Sequence, residues 1–179
     1  MQDARSWMTG PRIWLEVKRR EKTMPAKKLI EFLNGEKVKY VTLNHSHAYT
    51  AQEITATTHT PGKEFAKTVI VKLDGEMAMI VVPASHQVDL EAVKKASDAK
   101  EVALATEEEF QLRFPDCDVG AMPPFGNLYG MDVYVAASLA ESEEIVFNAG
   151  SHLELIRLAY RDFWRLVRPK ALVFSRKGK

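Results

Sequence analysis

Three short segments of this chain hold the groups that could do chemistry: Lys67, the run Gly120-Ala121-Met122-Pro123-Pro124-Phe125-Gly126, and the run Asn148-Ala149-Gly150-Ser151-His152. A lysine of ordinary pKa is charged at neutral pH, so the simplest role for Lys67 is to hold an anion or a polarised oxygen rather than to act as a base. The paired prolines fix φ at about −65° and push the residue before each into the extended region, which holds Met122 and Pro123 in a rigid elbow. Gly120 and Gly126 carry no Cβ, so the chain can turn sharply there and admit another backbone or a ligand. Pro123 and Pro124 have no N–H, so an amide aimed at a ligand must come from Gly120, Ala121, Met122, Phe125 or Gly126, offered without ordering entropy at the moment of binding. The third segment gathers an amide, a flexible Gly150, a hydroxyl and an imidazole. Each segment also has a plainer reading: a turn between strands, a solvated lysine at a core edge, and a polar connection.

The elements that must position these groups follow from periodicity and punctuation. Pro25 suits a first helical position, Leu29, Ile30 and Leu33 recur at helical spacing, and Gly35 can close that helix. Residues 39–43 read as a strand, and Thr50-Ala-Gln-Glu53 matches a capping box for a helix over 51–57. The β-rich runs 67–73 and 76–82 flank Asp74-Gly75, a pair that tolerates positive φ and so predicts a hairpin. On that strand Lys67 shares a face with Val69, Val71 and Leu73. Asp89 can cap a helix through Ala96, residues 101–104 form a short strand, and Thr106-Glu-Glu-Glu109 is a second capping box. Beyond the elbow, 131–136 and 143–148 read as strands, 152–158 fits either period, and 161–167 is helical with Pro169 ending it.

The balance of 25 basic against 24 acidic side chains gives no bulk attraction to nucleic acid, so any RNA contact must be local. With 179 residues, 46% hydrophobic and 27% charged, the chain suits one α+β domain, and its single cysteine excludes an internal disulfide. No apolar run approaches the length of a membrane span or a signal peptide, so a cytoplasmic location and no membrane partner are expected. Residues 1–23 lack sustained periodicity and end in Lys18-Arg19-Arg20-Glu21-Lys22. They are expected to be a non-native or disordered leader ahead of a natural start at Met24; a basic arm for RNA is the rival reading.

In order and spacing, His45 with a Thr-capped helix, Ala66-Lys67-Thr68-Val69 opening a hairpin, Gly120 to Gly126 and Phe147 to His152 together resemble the YbaK/ProX family of aminoacyl-tRNA editing domains. The resemblance covers about residues 24–170. It implies a single domain with a mixed, strongly curved and partly barrel-like β-sheet surrounded by helices; beyond it, Arg176, Lys177 and Lys179 mark 171–179 as a basic tail. It further implies a trans-editing deacylase that hydrolyses the ester of a mischarged tRNA carrying a small amino acid, alanine before serine, cysteine or threonine, with no cofactor. Lys67 matches the family's key lysine. Gly120 and Pro124 match its Gly-x-x-x-Pro loop, so Ala121, Met122, Phe125 and Gly126 become pocket candidates. Asn148 stands where other members carry serine, Gly150 and Ser151 follow it, His152 matches a histidine of some branches, and His45 falls near the pocket mouth. An aminoacyl-tRNA synthetase is a further candidate partner. A non-catalytic module that binds aminoacyl-tRNA or a protein is the alternative on the same fold.

Other chemistry is less well supported by the residues. His45-Ser-His47, with His59 and His86, could chelate, but no cysteine pair or carboxylate joins them at ligand spacing, so no metal is expected. Asp116 and Asp118 flank Cys117 and oppose a thiolate. Arg157, Arg161, Arg165 and Arg168 follow helical spacing; Arg161 and Arg165 are candidates for tRNA binding, and Arg157 leaves the stripe if 152–158 is a strand.

Overall fold

The computed structural model describes residues 26–44, 56 and 58–177. Its centre is the expected hairpin. β2 (Ala66–Leu73) turns at Asp74 (φ 52°) and Gly75 (φ 90°) into β3 (Glu76–Pro83), with Leu73 opposite Glu76. Both turn residues have positive φ, as a tight two-residue hairpin requires. The Asp74 carboxylate accepts from the amides of Lys100 and Glu101, which fixes the turn against the start of β5 (Val102–Leu104). β5 pairs antiparallel with β2, while β6 (Asp132–Ala136) and β9 (Lys170–Leu172) add in parallel beyond β3, giving the order β5-β2-β3-β6-β9.

A second sheet, β1-β8-β7, is antiparallel throughout and is made of β1 (Tyr40–Asn44), β8 (Glu154–Ala159) and β7 (Glu144–Asn148). The ambiguous segment 152–158 is therefore a strand from Glu154, which takes Arg157 off the helical stripe. The last pair is β4 (His86–Val88) with β10 (Ser175–Lys177), so residues 171–177, expected as a tail, contribute to two strands.

The mixed α+β character holds, but the partly barrel-like sheet does not. Every ladder among the described residues is open, and the two larger sheets meet at one isolated parallel bridge, Phe65 with Val146, supported by the Val146 amide on the Glu64 carbonyl at 2.9 Å. Closing a barrel needs a continuous staggered ladder, and a single bridge does not supply one.

Side-chain alternation gives β2 and β3 two buried faces, so β3 is apolar almost throughout. One face meets Leu29 and Leu33 of α1 (Lys27–Gly35) together with Phe125, Phe147 and Phe163. The other meets Val93 of α2 (Leu90–Ser97), which Asp89 caps through the Ala92 amide, and Phe174. Fully burying each such Leu or Phe contributes about 1.5–3 kcal/mol. The Thr106 capping box opens the short α3 (Glu107–Gln111), and α4 (Tyr160–Val167) turns its Phe163 and Val167 inward. The predicted helix over 51–57 lies outside the described residues apart from Ala56.

Candidate functional site

Two neighbouring residues of β2 face opposite ways and do different work. Thr68 donates its hydroxyl hydrogen to the Met122 carbonyl at 2.9 Å, tying the start of the hairpin to the elbow. Lys67 points to the other face, half-buried, and burial alone lowers its ammonium pKa from the ordinary value. The Phe65–Val146 bridge sets where it stands. That isolated bridge brings the start of β2, just before Lys67, beside β7, which ends at Asn148. The Asn148 side-chain oxygen is itself buried and has no hydrogen-bond partner among the described residues.

The elbow is stitched to the 148–152 segment by backbone. The Asp118 amide donates to the Gly150 carbonyl at 2.8 Å, the Gly150 amide to the Ala121 carbonyl at 3.0 Å, and His152 Nε2 to the Val119 carbonyl at 2.9 Å. Gly120, at φ 84°, is exposed and lies beside the His152 ring: a Cβ there would stand 3.7 Å from Cε1. Gly150 is needed for a different reason. At φ 101° it backs onto Ala26, where a Cβ would come within 2.9 Å of the Ala26 Cβ, and the Ala26 amide bonds the Ala149 carbonyl at 2.6 Å. Ser151 is buried and its hydroxyl accepts from the Leu153 amide at 3.4 Å, a local turn contact.

Beyond Gly120 the elbow is buried. The Phe125 ring packs among Phe32, Phe147 and Phe163 at centroid distances of 6.2, 5.6 and 5.8 Å, and a Cβ on Gly126 would meet Val133 Cγ2 at 2.8 Å. Phe125 and Gly126 thus serve the core side of the loop. Of the five elbow amides, Ala121 bonds the Asp118 carbonyl and Phe125 the Pro123 carbonyl. The Gly120 amide rests on the Met122 thioether at 3.3 Å, a weak acceptor. The amides of Gly120, Met122 and Gly126 have no carbonyl acceptor among the described residues, and of these residues only Gly120 is exposed.

The described residues thus offer a half-buried cation on β2, an orphaned Asn148 carbonyl oxygen at the end of β7, and an elbow braced by the 148–152 segment. A model of the aminoacyl-tRNA editing domain family matches residues 45–166. The chain belongs to that family. Solved structures share the fold of this editing domain. A crystal structure of a hypothetical protein superposes with a TM-score of 0.76 at 19% identity, covering 84% of this chain and 100% of that one. One described as a "putative trans-editing enzyme for prolyl tRNA synthetase" gives 0.72 at 18%, covering 86% and 97%. At these identities the likeness speaks for the fold. No curated protein sequence matches the chain.

Within the editing domain the remaining candidates lie apart. Arg161 and Arg165 are exposed on α4, away from Lys67, and Arg165 bonds Glu36 at 3.3 Å. His45 lies outside the described residues. Burial, with Asp116 and Asp118 adding to it, pushes the Cys117 thiol up to about 11, despite its contact with the Tyr129 hydroxyl, so it is protonated at neutral pH. A cleft of about 600 Å³ between α1, β1 and β8 carries carboxylates, Glu31, Asp116 and Glu154, on the opposite face of the small sheet from Asn148. Among the described residues no three metal-ligating side chains gather, and no helix is long and apolar enough to cross a membrane. Sequence reasoning missed Thr68 as the elbow's tether; its only signal was a hydroxyl on a strand face shared with Ala66 and Ile70.

Proposed function

We propose that this editing domain acts in trans as an aminoacyl-tRNA deacylase that removes a small amino acid, alanine before serine, cysteine or threonine, from a mischarged tRNA, with a synthetase as a second partner. The observation that carries the reading is Lys67: a half-buried ammonium with no acidic partner among the described residues, on the strand that starts beside β7. Such a charge is costly unless an anion or a developing oxyanion completes it.

An aminoacyl ester is already activated, so no nucleophilic triad is required. A water oxygen, or water assisted by the neighbouring ribose hydroxyl, attacks the ester carbonyl carbon. The electron pair moves to the carbonyl oxygen, which the Lys67 ammonium stabilises, while the elbow walls the substrate. The carbon–oxygen bond to the ribose then breaks and the ribose oxygen leaves with a proton. Met122, bulky and held under the Gly120 amide, narrows the space for the amino-acid side chain.

Deacylation of Ala-, Cys- and Ser-tRNA specific for proline, by wild type and Lys67→Ala, tests the proposal. Loss of one such stabilising group typically costs about 2.7–4 kcal/mol of barrier, so the variant should lose about 100- to 1000-fold in rate. Retention of most activity would remove Lys67 from the mechanism. A wild-type protein that binds these tRNAs and releases no amino acid would make the domain a binding module.

A further inference from the structure

The outer face of α4 has a composition that the fold does not need. Phe163 and Val167 bury the inner face, while Arg161, Trp164, Arg165 and Arg168 stand exposed at positions i, i+3, i+4 and i+7. Trp164 leaves 41% of its surface in solvent, and the Tyr160 ring, 6.2 Å away and tilted, extends its apolar platform. Arg168 closes the helix at φ 50° with its amide on the Trp164 carbonyl at 2.9 Å, one turn beyond Trp164. Arg165 is shared with Glu36 at 3.3 Å and Asp162 at 3.9 Å, whereas Arg161 and Arg168 have no ion pair among the described residues. An exposed indole on the same helix face as three exposed arginines suits a partner that offers both flat rings or sugars and a row of negative charge.

We infer that this face, centred on Trp164 and Arg168, docks the sugar-phosphate backbone of the substrate tRNA, separately from the pocket that takes its aminoacylated end. The inference rests on the deacylase reading for the identity of the partner. Two further observations give it direction. The Phe163 ring lies 5.8 Å from Phe125, so the outer face stands roughly one helix diameter, about 10 Å, from the buried part of the elbow, a distance that a short single-stranded 3′ end can bridge. At the N-terminal end of α4, Arg161 lines a cleft of about 540 Å³ with Glu141, Glu143 and Glu144. Those carboxylates repel phosphate, so the RNA lies toward the Trp164–Arg168 half of the helix.

The test is binding of uncharged tRNA across a salt series by wild type, Trp164→Ala and Arg168→Asn, the asparagine chosen because it tolerates positive φ. Arg168→Asn should reduce the slope of log K against log salt by about one, and Trp164→Ala should weaken binding about tenfold at every salt concentration. Melting temperatures of both variants check that they fold; if Trp164→Ala does not, Arg168→Asn alone decides. Wild-type affinity and salt slope in Arg168→Asn would overturn the ridge, and would leave an acidic protein surface as what this face meets. Salt-sensitive tRNA binding that depends on these residues, in a protein that releases no amino acid, would uphold the ridge while ending the deacylase reading.

Discussion

The two ends of β2 carry a lysine each, and their surroundings differ in kind. Lys72 stands 2.6 Å from the Glu109 carboxylate, whose other oxygen accepts the Thr106 amide to complete the capping box of α3. The hydrogen bond from Lys72 comes first among the causes that hold the Glu109 pKa below its ordinary value. Lys67, five residues away on the same strand, has no such counter-charge among the described residues and is buried enough for its pKa to fall. One end of the strand satisfies its charge and stabilises a helix; the other, in the proposed function, supplies its charge to the substrate. The contrast separates structure from function within one element, where residue type alone does not.

The sharpest way to break the contrast is at Lys67. Lys67→Met should abolish deacylation yet raise the melting temperature at neutral pH, because a half-buried ammonium is disfavoured in the fold. The sign follows from linkage: its folded pKa lies below the unfolded value, so the penalty is fully present below the folded pKa and is relieved as pH rises toward the unfolded one. The gain in melting temperature should therefore shrink at alkaline pH, and a variant less stable than wild type at pH 7 would contradict it. Next in size, Gly150→Ala forces a Cβ toward Ala26 at positive φ and should destabilise by about 1–3 kcal/mol, read by denaturant unfolding. Thr68→Val keeps the shape of the side chain but leaves the Met122 carbonyl without its donor. About 1–2 kcal/mol of stability and roughly tenfold in kcat/KM should go, and an unaffected kcat/KM would mean that the elbow holds its place without the tether. The smallest effect belongs to the far end. Lys72→Met should leave kcat/KM alone and lower the melting temperature slightly, a difference that vanishes as pH falls through the carboxylate range and Glu109 takes up its proton.

Legibility followed the range of the interactions. The hairpin could be read because Asp74-Gly75 encodes its turn locally, and the caps at Asp89 and Thr106 because a side chain serves an amide three residues away. β9 and β10 are three-residue strands whose partners lie more than thirty positions away in sequence, and nothing in their own residues marks them. Whether the sheets close is likewise a property of distant pairing, which is why the barrel was expected and open ladders were found. In the site, residue types announced the elbow, but not which of its faces is buried: Phe125 and Gly126 read as pocket residues on chemistry, and packing against Phe147 and Val133 places them in the core wall. Lys67 could be read as a cation at a core edge; that it lacks a carboxylate partner among the described residues is a three-dimensional fact.

The contact between Ala26 and the Ala149–Gly150 turn has a consequence for anything joined ahead of it. Because the Ala26 amide is anchored 2.6 Å from the Ala149 carbonyl, the preceding chain must set out from beside the same turn that braces the elbow. A probe, a peptide or a whole domain attached there is tethered to the site by a short leash, and its effective concentration at the site is set by linker length rather than by bulk concentration.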